Sequence, residues 1–164
     1  MKKAIVLALA LVLTLSLAVP AAAASTGSPK APVASEKTTA SLPVVAEAKA
    51  EDGSAVTVEL VSVDNTKGLT EEAVKDFTAA QEKLAEAAPA GMKTQYFTYV
   101  KATGADGKAA TSAVTMSVKV ANATKVVAKQ FVDGKWVELK VTLNADGTVT
   151  IEGLVEGPLA IFTK

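Results

Sequence analysis

From Val44 onward the chain alternates apolar and polar residues in short segments, and the period of that alternation predicts strands. Val56, Val58 and Leu60 interleave with Thr57, Glu59 and Val61, while Val114, Met116, Val118 and Val120 interleave with Thr115, Ser117 and Lys119. A period of two puts one set on each face of a pleated strand, so each segment predicts a buried face and a wetter one. Val44 to Ala50, Gln95 to Ala102, Val126 to Val132, Lys135 to Leu143, Val149 to Glu152 and Leu159 to Phe162 read as further strands.

Asp-Gly pairs at Asp52, Asp106, Asp133 and Asp146 punctuate these segments. Such pairs reach the positive φ of tight hairpin turns at little steric cost. Glu51 to Ser54 therefore predicts a hairpin pairing Val44–Ala50 with the strand that starts at Val56. Counting outward from Asp133-Gly134 sets Val132 opposite Lys135, Phe131 opposite Trp136, Gln130 opposite Val137, Lys129 opposite Glu138 and Ala128 opposite Leu139. One face then carries Phe131, Trp136, Lys129 and Glu138, and the other turns Val126, Ala128, Leu139 and Val141 inward. A calcium loop does not fit the Asp146 tetrad: with Asp146 and Gly147 aligned to the loop's fifth and sixth positions, Gly153 falls where a bidentate glutamate is required.

A helical period appears only between Thr70 and Ala88, where Val74, Phe77, Gln81, Leu84 and Ala88 form a stripe. Thr70 is placed to cap it, Glu71 and Glu72 complement the positive end of its dipole, and Leu69 and Val74 can staple its first turn. Pro89-Ala90-Gly91 stops it. Six to eight antiparallel strands plus one amphipathic helix over about 70–88 predict a mainly β fold, a β-sandwich of Ig-like or related type. An α+β arrangement is the alternative.

The remaining apolar run, Ala4 to Val19, is continuous except for Thr14 and Ser16, follows Lys2 and Lys3, and leads into the small residues Ala22-Ala23-Ala24 before Ser25. That order predicts a secretory signal peptide over 1–24. As a helix of about 1.5 Å per residue it would span roughly 24 Å, short of the ~30 Å hydrocarbon core. The absence of cysteine removes a lipoprotein thioether, and the C-terminal Ala160 to Lys164 lacks the hydrophobic tail of a wall-sorting signal. Ser25 to Pro43 is rich in Pro, Ser, Thr, Ala and Lys with no apolar period, which predicts a disordered tether, and 44–164 forms one β-rich domain. The expected product is secreted, extracellular or loosely associated with the cell envelope.

All 17 basic residues are lysine, and the chain has no His and no Cys. Without an imidazole there is no Ser-His-Asp or Cys-His nucleophile system, and without His or Cys no ordinary zinc site. No metal and no cofactor is expected. Loss of Lys2 and Lys3 would leave 15 lysines against 17 acids, so nucleic acid is a poor partner and the membrane enters only through the transient signal peptide. Glu59, Asp64, Glu71, Glu72, Glu138 and Glu152 could serve a carboxylate-dependent hydrolase, but nothing singles out a pair. An isopeptide crosslink would draw on Lys119, Asn122 and a neighbouring acid.

The candidate binding residues are Trp136 and Phe131, with Lys129 and Glu138 beside them on the same strand face. A partly exposed aromatic pair there can stack on a sugar ring or anchor a peptide; packing of that face on the helix or the second sheet is the alternative.

Val126 to Phe131, Asp133 to Trp136, Val141 to Val149 and Gly157 to Ile161 together resemble the final β-hairpins of secreted clostridial-type (Gram-positive) surface proteins. Many of these close on a Ser-Pro-Phe-Ala-Ile-like strand, where this chain has Gly157 and Leu159 for the serine and phenylalanine. The resemblance covers 125–164 and implies an extracellular β-module, with no site carried over. The expected function is a secreted, non-catalytic module, structural or binding a cell-wall polymer, a glycan or a protein. A carboxylate hydrolase and an inhibitor or chaperone of an exported protein are the alternatives.

Overall fold

A computed structural model describes residues 42–164. The expected signal segment and all but the last two residues of the expected tether lie outside the described residues. Among the described residues nine strands form two antiparallel sheets, more than the six to eight expected. The first sheet orders β1 (Val45–Ala50), β4 (Val114–Lys119), β8 (Thr148–Leu154) and β7 (Lys140–Leu143); the second orders β2 (Val56–Ser62), β3 (Lys93–Gly104), β9 (Gly157–Thr163), β5 (Val126–Val132) and β6 (Lys135–Glu138). The protein is mainly β with a little helix.

The alternating residues meet between the sheets. Val114, Met116, Val118, Val149, Ile151 and Leu154 from the first sheet close on Val100, Ala102, Ala128, Leu159 and Ile161 from the second. Polar partners of the first sheet's alternation stay outside, where Ser117 and Thr150 share a hydroxyl hydrogen bond of 3.0 Å and Lys140 pairs with Glu152 at 2.8 Å.

Two expected connections differ. The turn after Ala50 does not fold β1 onto β2; β1 pairs with β4 and β2 with β3, so the chain crosses from one sheet to the other. Asp52 holds this crossing by accepting from the Ser54 amide at 2.8 Å and from the Ser112 hydroxyl. Those bonds, Ser112 first, lower its carboxyl to about 2. The segment from Lys135 to Leu143 is likewise not one strand: β6 pairs with β5, β7 with β8, and Leu139 packs into the core at the corner between them. A periodic pattern reads straight through such a corner because both halves keep the same inward parity.

The helical segment covers the outer face of the second sheet. It divides into α1 (Glu71–Glu82) and α2 (Leu84–Ala87), with Lys83 between them at φ −94° and ψ 4° rather than one helix to 88. Ala88 is extended, as the residue before Pro89 must be. Thr70 caps α1 by accepting from the Ala73 amide at 3.2 Å. Thr70→Ala is expected to cost about 1 kcal/mol in urea unfolding; an unchanged midpoint would show that another group satisfies the amide. The buried face of the segment is Ala73, Phe77, Ala80 and Ala87, with Leu84 and Ala88 half-buried, while Val74 is half-buried and Gln81 exposed, so the stripe is rotated from the expected one.

Beneath the helices lie Val61, Phe97, Tyr99, Phe131, Ala160 and Phe162, a second core on the far side of the sheet. β9 is thus buried on both faces, and its run Pro158 to Phe162 needs no alternation. Burial, with the carboxylates of Glu156 and Asp76 adding to it, pushes the Tyr99 phenol up to about 12. An unfolded tyrosine ionises near 10, so this group leaves stability unchanged below pH 10 and removes it progressively between pH 10 and 12. A phenolate absorbance titration of the folded protein is expected to show one tyrosine ionising near 12; its ionisation near 10 without unfolding would overturn this.

Candidate functional site

The β5–β6 hairpin carries the candidate residues. Asp133 and Gly134 both take positive φ, 49° and 75°, the conformation of a two-residue turn with right-handed strand twist. The register is the one expected from counting: Lys129 faces Glu138, Gln130 faces Val137, Phe131 faces Trp136 and Val132 faces Lys135. The Leu139 amide donates to the Ala128 carbonyl at 2.9 Å.

The aromatic face of this hairpin turns toward the helices. Phe131 is buried, 6% exposed, so of the two arrangements open to this face its ring takes packing on the helix rather than the partly exposed stacking surface. Its ring meets Trp136 edge-on at 5.3 Å between centroids, and Trp136 meets Phe97 at 6.3 Å. Trp136 itself is half-buried, packed in the same cluster as Phe97, Phe131 and Ala87. Its indole Nε1 lies below the surface with no acceptor among the described residues, so the ring, not its N–H, is what a ligand can reach.

Lys83, at the break between the helices, closes the arrangement. Its ammonium donates to the Gly134 carbonyl at 2.9 Å and sits 5.7 Å from the centre of the Phe131 ring, pinning the helix end to the hairpin turn. An open hollow of about 340 Å³ remains in this seam, lined by Lys83, Glu86, Ala87, Lys129, Gly134, Lys135 and Trp136. Trp136 and Lys129 are therefore brought to one site. Glu138 is exposed, does not line the hollow, and forms no ion pair with Lys129 among the described residues despite facing it in register. Sequence reasoning missed Lys83 and Lys135: Lys135 was placed only by its turn, and Lys83 reaches the hairpin across 51 residues.

Further hollows lie elsewhere among the described residues, two of them comparable in volume. One, of about 360 Å³, sits by the Asp52 crossing between Ser54–Val56 and Gly104–Ser112; the other, of about 470 Å³, is lined by Val44, Tyr96, Lys119, Asn122 and Asp146 among others. Lys119, Asn122 and Asp146 do meet there, but all three are exposed, not sealed in an apolar core. Asp146 spends its carboxylate on its own turn, accepting from the Thr148 amide at 2.9 Å and hydroxyl at 2.7 Å. Each of the three hollows carries one carboxylate, Asp106, Glu86 or Asp146. No three acidic groups among the described residues gather as a metal site would require.

No protein-family model, no curated protein and no solved structure matches the chain.

Proposed function

We propose that this protein is an exported, non-catalytic β-module that binds an envelope polymer or glycan in the hollow over Trp136. The observation that carries this reading is the half-buried indole forming one wall of an open hollow, with the helix end and the hairpin turn at its sides joined by the Lys83 to Gly134 hydrogen bond. A rigid aromatic wall loses little entropy on contact and offers a sugar ring an apolar face. The signal-like start and the resemblance of 125–164 to secreted surface modules support the exported setting. The lone carboxylate in the hollow favours binding over acid–base hydrolysis, which needs a pair.

Retention on peptidoglycan and on immobilised glycans tests it. Trp136→Ala is expected to weaken retention about tenfold or more, and Trp136→Phe, which keeps the packing against Phe131, to weaken it less. No retention of the parent protein, or equal retention of all three, would refute the reading.

A further inference from the structure

Resting on that reading, we infer that the ligand of the Trp136 hollow is anionic, a polymer carrying repeated phosphate or carboxylate groups, held by Lys83, Lys129 and Lys135. The lining sets three ammonium groups against the one carboxylate of Glu86. This excess is local. Across the whole chain 17 lysines balance 17 acids, and in the other two hollows Lys108 meets Asp106 and Lys119 meets Asp146 one for one.

None of the three ammonium groups forms an ion pair among the described residues. Lys83 spends one donor on the neutral Gly134 carbonyl and keeps its charge at the rim. Lys129 faces Glu138 across the hairpin without an ion pair among the described residues, and Lys135 stands one residue past the turn, opposite Val132. Like charges gathered on one rim repel one another, and an anion entering between them relieves that repulsion while each ammonium supplies donors to its oxygens. The indole wall would meet the body of the repeating unit. A polymer of such units gains from successive contacts along the seam, which a single small anion does not.

Trp136 is the chain's one tryptophan, so its emission reports this hollow directly. The full chain is titrated with poly(glycerol phosphate), polygalacturonate, single-stranded DNA and neutral dextran at several salt concentrations. A saturable emission shift with one or both of the first two is expected, weakening as salt rises because exposed charges are screened; which of the two binds tells phosphate from carboxylate. Lys129→Gln with Lys135→Gln is expected to weaken binding about tenfold, and Lys108→Gln with Lys119→Gln to leave it unchanged. Equal weakening by the two pairs, or equal binding of DNA, would mean diffuse ion exchange and overturn the inference. Salt-independent binding of dextran, unmoved by either pair, would overturn the anionic ligand and leave the binding module standing. No shift with any polymer would overturn the anionic ligand, and retention on peptidoglycan and glycans would then decide the binding module by itself.

Discussion

Gln130→Leu is expected to lower unfolding stability by about 2–4 kcal/mol, although the change adds apolar character to a residue only 1% exposed. The Gln130 amide makes a two-bond clamp on Val155, Nε2 donating to its carbonyl at 2.6 Å and Oε1 accepting from its N–H at 3.0 Å. Those bonds replace ladder bonds that the backbone cannot make there. Pairing of β5 with β9 reaches only to Gln130 opposite Leu159, since Pro158 has no N–H and Gly157 takes φ 149°. The side chain thus ties the β8–β9 turn to β5 where the sheet leaves off. Glycine suits position 157 at the same corner because of its φ of 149°, where a side chain would strain the backbone; a Cβ there would meet the Phe131 carbonyl only at an ordinary contact distance of 3.6 Å. Urea unfolding with an unchanged slope is the measurement; a loss under about 1 kcal/mol would mean that water satisfies Val155 as well as Gln130 does.

Phe77→Ala is expected to cost about 3–5 kcal/mol. Phe77 is the largest side chain that the helical segment buries, 2% exposed, its ring tilted against Phe97 at 4.8 Å and edge-on to Tyr99 at 5.8 Å. Its loss opens a cavity under α1 and loosens the seam that Lys83 closes, so Trp136 emission is expected to shift red as well. Two substitutions decide which helix face is the buried one. Ala80→Leu overpacks a fully buried position and is expected to cost about 1–3 kcal/mol, while Gln81→Leu, on the exposed side, is expected to stay within about 0.5 kcal/mol. The reverse order would restore the face inferred from periodicity.

The rotation of that face has a simple origin. Counting large residues weights Val74 and Leu84, but a helix lying close over a sheet of aromatic rings needs small residues in contact, and Ala73, Ala80 and Ala87 supply them. Alanine carries no strong apolar signal, so the contact face is under-read from composition. Phe131 is a related case. Its pairing with Trp136 was legible from the turn, but whether the pair faces water or helix depends on an element some fifty residues earlier in the chain.

Local rules therefore reached a definite limit in this protein. Alternation and the Asp133-Gly134 turn determined that the chain is mainly β, which alternating strand residues face the space between the sheets, and the full register of the β5–β6 hairpin, because each depends on neighbours within a few positions. Tertiary structure alone decided that β1 and β2 lie in different sheets, that the strand from Lys135 turns a corner at Leu139, and that Lys83 arrives beside Lys129, Lys135 and Trp136. Those outcomes depend on how two sheets and a helix layer close over shared apolar surface, a condition on the whole chain that no short window contains.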